Sequence, residues 1–390
     1  MSVTAARTYE IIVRRFLSIF YPPAIYQKVS ITRGKSSTVS GSAQGDSIPL
    51  HYSSNLSLID YENYIVAQLR NPWDTTKILH TYVLVDKKQP LPQELPLGTL
   101  VRTPLSKAVI YSSVHCSLLK DLGALNSIGG VCDLKYIKLP EIEEGCRNGT
   151  ITDVGDGMNP NIERIIDLHP DAILLSPFEN SGGYGRVEKL NVPIIECADY
   201  METSSLGRAE WMRFYGLLFG KKAEADAMFA SVERSYKDLQ ELVKPISFAP
   251  SVMCDLKTSS TWYTPGGNST IARLYADAGA NYIFREDTHS GSLPYPFEVI
   301  FEKGQQTDFW LIRYNQPIDK TYKELEKEFA PYAGFRAFKE RNIYGCNTNR
   351  VPFYEETPFH PDWLLKDLIK IFHPSLLEGY ELRYYKKLSE

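Results

Sequence analysis

The sequence predicts an α/β fold: two α/β lobes with mostly parallel sheets, joined by one long helix, with an N-terminal β-meander extension. Three observations predict it. Strand-like and helical runs alternate from about Pro104 to Tyr200, and the same rhythm returns after Pro250, as expected for parallel sheets covered on both faces. Between them, Thr203 to Val243 carries apolar residues at three-and-four spacing, the signature of an amphipathic helix. The two halves also share a unit. Pro160 is followed by NIERIIDLHPDAILL and Pro296 by FEVIFEKGQQTDFWLI. Each unit has a proline suited to a helix start, a glutamate in the first turn (Glu163, Glu298), a short apolar helix, an aspartate (Asp171, Asp308) and a buried strand.

In chain order, residues 1–46 read as a non-domain segment ending in the Ser/Gly-rich linker Gly34 to Asp46. Arg7, Arg14 and Arg15 precede FLSIFYPPAIY, the charged-then-apolar order of a signal peptide. Pro22 and Pro23 interrupt that run and neither a small-residue cleavage site nor a lipid-accepting Cys follows, so the sequence itself does not show export. Residues 47–102 form a small antiparallel extension: LSLI, a turn at Asp60 to Asn63, YIVAQL, and a third run from Ile78 to Val85. The prolines at 90, 92 and 96 mark a loop.

Residues 103–203 make the first lobe, with strands in AVIYSS, SIGGVC, AILLSP and VPIIEC. Residues 204–243 are the connecting helices. Gly220 marks a joint, because glycine is the usual residue just past a helix end, and a second helix runs from about Lys221 to Val243 before Pro245 stops it. Periodicity alone leaves this stretch equally readable as an ordinary amphipathic helix inside one large domain. Residues 244–390 make the second lobe: a strand SVMCDL, the turn-rich WYTPGGNS, a helix IARLYADAG, strands FWLIRY and NIYGC, and a terminal helix from Pro361 to Phe372.

Composition narrows the partners. The 390 residues are 43% hydrophobic and 23% charged with a net charge of -4, which gives no bulk attraction to nucleic acid or an anionic membrane. Six cysteines are scattered without a CxxC pair, and no run is long enough to span a bilayer. The seven histidines show no HxH or HExxH spacing, so no metal-ligand set is expected. Neither a phosphate loop nor a GxSxG elbow is present, and no catalytic residue is nominated.

Several separate motifs in order, DVGDGMNPNIERIIDLHPDAILLS, VIYSSVHCSLLKDLGALNSIGGV, LGRAEWMRFYGLLFG, WYTPGGNSTIARLYADAGANYIF and HPDWLLKDLIKIFHPSL, resemble the class III substrate-binding proteins of ABC importers. These carry iron complexes, heme or cobalamin, and the resemblance spans about Ile48 to Pro374. It implies a rigid two-lobed binding protein with a small hinge motion, acting without covalent chemistry. The protein would be periplasmic, monomeric, with a lipid anchor on the precursor, and would serve an ABC permease dimer. It implies no resident cofactor; the cargo is a small-molecule metal complex, a ferric siderophore, heme or a corrinoid. Glu163 and Glu298 are the positions implied to dock on the permease, although the helix dipole accounts for either glutamate alone.

Ligands of open α/β sheets bind beyond the carboxyl ends of the strands. That rule nominates Ser113, His115, Tyr136, Asp156 and Met158 in the first lobe, and Trp262, Tyr263, Arg313, Tyr314, Tyr354, Glu355 and Glu356 in the second. Trp and Tyr faces suit stacking on a flat macrocycle or catecholate, Arg313 suits an anionic complex, and His115 or a Tyr suits axial contact to a heme or cobalt centre. Two rival readings are a tetrapyrrole metal chelatase, which would use cleft histidines and acids, and an accessory lipoprotein of an outer-membrane receptor.

Overall fold

A computed structural model describes residues 45–179 and 183–390. The arginine-rich start, most of the Ser/Gly linker, and Ser181 and Gly182 of the SGGYG loop lie outside the described residues.

The extension is a five-stranded sheet in sequential order: β1 (Asp46–Ile48), β2 (Leu56–Tyr61), β3 (Tyr64–Arg70), β4 (Ile78–Asp86) and β5 (Thr99–Thr103). The first four strands run antiparallel, as the alternation of apolar residues predicts. Two features depart from expectation. Asp46, assigned to the linker, opens β1, and β5 lies parallel to β4, because the proline-rich loop after Asp86 returns the chain to the start side of the sheet.

The first lobe holds a five-stranded parallel sheet built from β6 (Ala108–Ile110), β7 (Ile128–Val131) and β8 (Thr152–Asp153), then β11 (Ala172–Leu175) and β12 (Ile194–Glu196). A small hairpin of β9 (Gly155–Asp156) and β10 (Asn159–Pro160) intervenes. Helices α1 (Ser113–Asp121), α2 (Pro140–Asn148) and α3 (Ile162–Leu168) connect the strands. The spatial order is β12-β11-β6-β7-β8, so the chain reverses direction between β6 and β11.

The connector is three helices rather than two: α4 (Ser205–Glu210), α5 (Met212–Leu218) and α6 (Lys222–Val243). Gly220 is the joint, in left-handed backbone at φ 66°, where a side chain would be strained. The expected stripe of α6 is inside: Ala225, Phe229, Val232, Tyr236 and Leu239 are buried. At 22 residues and about 1.5 Å per residue, α6 is about 33 Å long. Tyr52 of the extension donates to Glu233 at one point on α6, while Tyr236 and Gln240 donate to Asp277 of the second lobe further along.

The second lobe repeats the plan. Its main sheet combines β13 (Ser251–Cys254), β16 (Asn281–Tyr282), β18 (Phe309–Tyr314), β19 (Ile343–Asn347) and the antiparallel β20 (Lys386–Lys387) in the order β16-β13-β18-β19-β20. Here the reversal falls between β13 and β18. The stretch expected to be a turn-rich loop contributes a strand, β15 (Thr261–Pro265), to an antiparallel sheet with β14 (Lys257–Thr258) and β17 (Ser292–Tyr295). Helices α7 (Thr270–Asp277), α8 (Phe297–Gly304), α9 (Tyr322–Glu328), α10 (Arg336–Lys339), α11 (Phe353–Glu356) and α12 (Pro361–Phe372) complete it.

The aspartates of the duplicated unit have matching structural work. Asp171 accepts from Ser106 N (2.6 Å), Ser106 Oγ and Lys107 N, clamping the entry of β6 to that of β11. Asp308 accepts from Ser251 N (2.8 Å) and Ser251 Oγ, clamping β13 to β18 in the same way. Each clamp fixes the amino ends of the two strands that flank a reversal.

Two buried carboxylates fasten the extension to the connector. Glu210 is fully buried and accepts from the backbone N–H of His51, Tyr52 and Ser53, each at 2.8 Å. Glu202 accepts from Ser54 N, Asn55 N, the hydroxyls of Ser53 and Ser54, and Trp211 Nε1. Glu210→Ala strands three buried or half-buried donors at about 1–3 kcal/mol each. It is expected to lower the unfolding free energy by about 3 kcal/mol or more in urea titration, and an unchanged midpoint would contradict this role for Glu210.

Candidate ligand cleft

Open α/β sheets place ligands where strand order reverses, at the carboxyl ends of the flanking strands. In the first lobe those ends lead into Tyr111 to Ser113 after β6 and Ser176 to Phe178 after β11. In the second they lead into Asp255 after β13 and Asn315 after β18. The helices and loops that follow these strands meet at a seam. Helix α11 packs against α1, which brings Glu355 beside Ser113, and Lys138 Nζ donates to Asn349 O at 2.8 Å. His360 Nε2 lies 3.2 Å from Asp121, its ring stacked on Trp363. Ser113, Lys138 and Asp121 belong to one lobe and their partners to the other.

Among the nominated residues, Ser113 opens α1, half-buried on that seam, with Glu355 opposite. Burial raises the Glu355 pKa. Tyr136, just past β7, is exposed, with the Lys135 ammonium 4.9 Å from its ring centre. Met158 stands 70% exposed on the β9–β10 turn, which Asp156 holds by accepting from Met158 N. Phe178, after β11, is a further exposed aromatic that was not nominated. Tyr263 and Tyr354 are half-buried. Tyr314 is half-buried and its hydroxyl accepts from Lys320 N.

Four nominations are corrected by their surroundings. His115 faces the lobe interior, 3.0 Å from both Asp199 Oδ1 and Tyr215 Oη, so neither ligand nor metal has access to it. Trp262 is fully buried, stacked on Trp310 at 5.6 Å and donating to Cys254 O; it is core and cannot stack on a cargo. Arg313 is held by three contacts of 2.9–3.1 Å to Asp255, with its side chain 13% exposed, so its charge is already answered. Glu356 accepts both arms of Arg383 and the Tyr384 hydroxyl and thereby anchors the C-terminal segment. Glu163 and Glu298 lie in the first turns of α3 and α8, both exposed, and neither makes a hydrogen bond or ion pair with another described residue.

The strand-end aspartates were missed. Asp133 and Asp255 both occupy left-handed backbone, at φ 54° and 63°, a conformation uncommon outside glycine and concentrated at functional sites. The signal was present as the repeat VCDLK at 131–135 and MCDLK at 253–257. Each copy straddles the end of a parallel strand.

His115 belongs to a buried charge cluster. Asp199 contacts His115, Arg208 Nε (3.0 Å) and Tyr215 Oη (2.8 Å). Burial alone would lower the His115 pKa; the Cys197 sulfur and the Asp199 carboxylate outweigh it and raise it to about 10. Burial alone would raise Asp199, but His115 and Arg208 hold it at about 2. Folding therefore takes up a proton at His115, a stabilisation fully present below pH 6.5 and lost as pH rises through about 10. The Asp199 contribution is present above pH 3.8 and lost as pH falls through about 2. The melting temperature of the wild type is expected to fall between pH 6.5 and 10, and His115→Gln to lose that component of the slope. Asp199→Asn, which leaves two cations without their counter-charge, is expected to lose about 3–5 kcal/mol, read by chemical denaturation.

Two α/β sheets, each with a reversal of strand order, together with a helical connector, make a two-lobed architecture. The chain belongs to the periplasmic binding protein family, which it matches over residues 108–349, and is of the ABC-transporter substrate-binding type. An uncharacterized lipoprotein of Methanocaldococcus jannaschii is 24% identical over 362 residues, covering 87% of this chain and 85% of that protein. A molybdate periplasmic binding protein of Haemophilus influenzae aligns in three dimensions with TM-score 0.56 and 15% identity, over 72% of this chain and 90% of that one. A periplasmic heme binding protein from Pseudomonas aeruginosa aligns with TM-score 0.54 and 15% identity, over 73% and 99%. At such identities the structural likeness is one of fold.

Proposed function

We propose that the seam between the lobes captures an iron complex, either a ferric siderophore or heme, or a corrinoid, and that the protein hands it to an ABC permease dimer. The observation that carries this reading is the seam where α1 packs on α11, with Lys138 donating to Asn349 and His360 set against Asp121 between the lobes. The exposed Tyr136 and Met158 on the rim suit a cargo with an apolar or flat surface. The fold neighbours described as binding heme and molybdate support a metal-containing cargo.

The working unit is a monomer with lobes at 103–203 and 244–390, the helices at 204–243 between them and the sheet at 47–102 as an extension. It works outside the inner membrane, and the lipoprotein relative supports a lipid anchor on the precursor. Among the described residues no helix is long and apolar enough to cross a membrane. Glu163 and Glu298, exposed at corresponding helix starts, are the docking carboxylates. The chelatase reading is less well supported, because His115 is buried against Asp199 inside the lobe and His360 is engaged by Asp121.

Titration of the intrinsic tryptophan fluorescence with heme, cobalamin and a panel of ferric siderophores is expected to give saturable one-to-one quenching by one of them. Tyr136→Ala with Met158→Ala should weaken that binding about tenfold or more, equivalent to about 1.4 kcal/mol. Binding unchanged in that double variant would remove the rim from the site. Charge reversal at both Glu163 and Glu298 should leave binding intact and abolish uptake in cells; uptake at the wild-type rate would refute the docking role.

A further inference from the structure

A second polar constellation lies away from the cleft, where the extension meets the first lobe. A cavity of about 430 Å³ opens there between β5 and β12. Three of its lining side chains come from three different strands: His80 on β4, Thr99 on β5 and Glu196 on β12. His80 Nε2 lies 2.7 Å from Thr99 Oγ1, and His80 Nδ1 lies 3.1 Å from Glu196 Oε2. Glu196 is nine-tenths buried and also accepts from Tyr184 Oη at 2.5 Å.

This is the order of a nucleophile–base–carboxylate relay. In the neutral ring, Nδ1–H donates to the carboxylate, and Nε2 is then the atom that can accept from the threonine hydroxyl. The ring is held in place by stacking on Tyr82 at 4.3 Å and 12°. Tyr82 is tied in turn to the same strand as the carboxylate, donating to Ile194 O and accepting from Glu196 N. The relay therefore exists only when the extension is seated on the lobe. Asn191, in left-handed backbone at φ 52°, lines the same cavity, and its amide makes no hydrogen bond with another described residue. It is a donor available to a developing oxyanion. Leu100 and Ile194 give the cavity an apolar side for an acyl chain.

We propose that Thr99, His80 and Glu196 form an acyl-transfer site that takes small carboxylic esters, separate from the cargo cleft and independent of which cargo that cleft holds. Thr99 Oγ1 attacks the ester carbonyl carbon as its proton passes to His80 Nε2. The carbon–alkoxy bond then breaks and the alcohol leaves with that proton. Water attacks the acyl-threonine, gives a proton to Nε2, and the acid departs as the hydroxyl proton returns to Thr99. Thr99 and His80 are the catalytic residues, and Glu196 is a positioning residue.

The test uses the full chain and p-nitrophenyl acetate, followed by the p-nitrophenolate burst and by mass spectrometry of the peptide containing Thr99. The expected result is one acetyl group on Thr99 and a burst lost in Thr99→Val, which keeps the shape of the side chain and removes the hydroxyl. Thr99→Ser should retain the burst. His80→Ala should slow it about 100-fold or more, and Glu196→Gln should slow it and move its pH profile. Thermal melts of all four variants report folding. A wild type that is not acetylated at Thr99, or a burst that persists in Thr99→Val, overturns the proposal; a role confined to satisfying buried Glu196 would give that result, with only the melts affected.

Discussion

The architecture depends on buried carboxylates that collect backbone N–H groups from segments far away in sequence. Glu202 and Glu210 sit about 150 residues from the strand-poor stretch at 51–55 and answer its donors, so that a segment with no sheet of its own is pinned to the connector. A carboxylate without partners is costly to bury; here each carboxylate accepts several hydrogen bonds, which offsets desolvation. Asp367 does the same for the C-terminal segment, accepting from the N–H of Arg383, Tyr384 and Tyr385. Glu202 and Glu210 thus tie the extension to the connector, and Asp367 ties the chain end to α12.

This coupling also places the two sites. Residues 51–55 lead into β2, and the sheet that follows carries His80 and Thr99 to the edge of the first lobe. Helix α6 meanwhile binds the extension through Glu233 and the second lobe through Tyr236 and Asp277. The buried Asp199 cluster lies between β12 and the connector and ties the lobe to the helices by charge rather than by apolar area alone.

Most of the fold was legible in the sequence because it rests on local periodicity. FWLIRY is a strand over the same six residues, α6 starts one residue from its expected place, and α12 occupies Pro361–Phe372. The departures come where long-range geometry overrides local signals. β5 pairs in parallel only because a proline-rich loop brings it back, and WYTP becomes a strand because β14 and β17 flank it. The cleft was less legible for a physical reason. Position beyond a strand identifies which residues reach the crevice, but not whether they turn inward, and Trp262, Arg313 and His115 were each taken by a neighbour: Trp310, Asp255 and Asp199. The paired CDLK segments carried information that periodicity ignores, since a repeated non-glycine residue at a strand end is legible only as a duplication.

The Asp171 and Asp308 clamps hold each sheet at the end of its strands opposite the cleft. Strand register is therefore fixed at the end of each sheet away from the cleft. A lineage built on this plan could lengthen, shorten or recolour the cleft loops without disturbing strand register. The same scaffold would then be free to change what it carries over evolutionary time while its floor stayed constant.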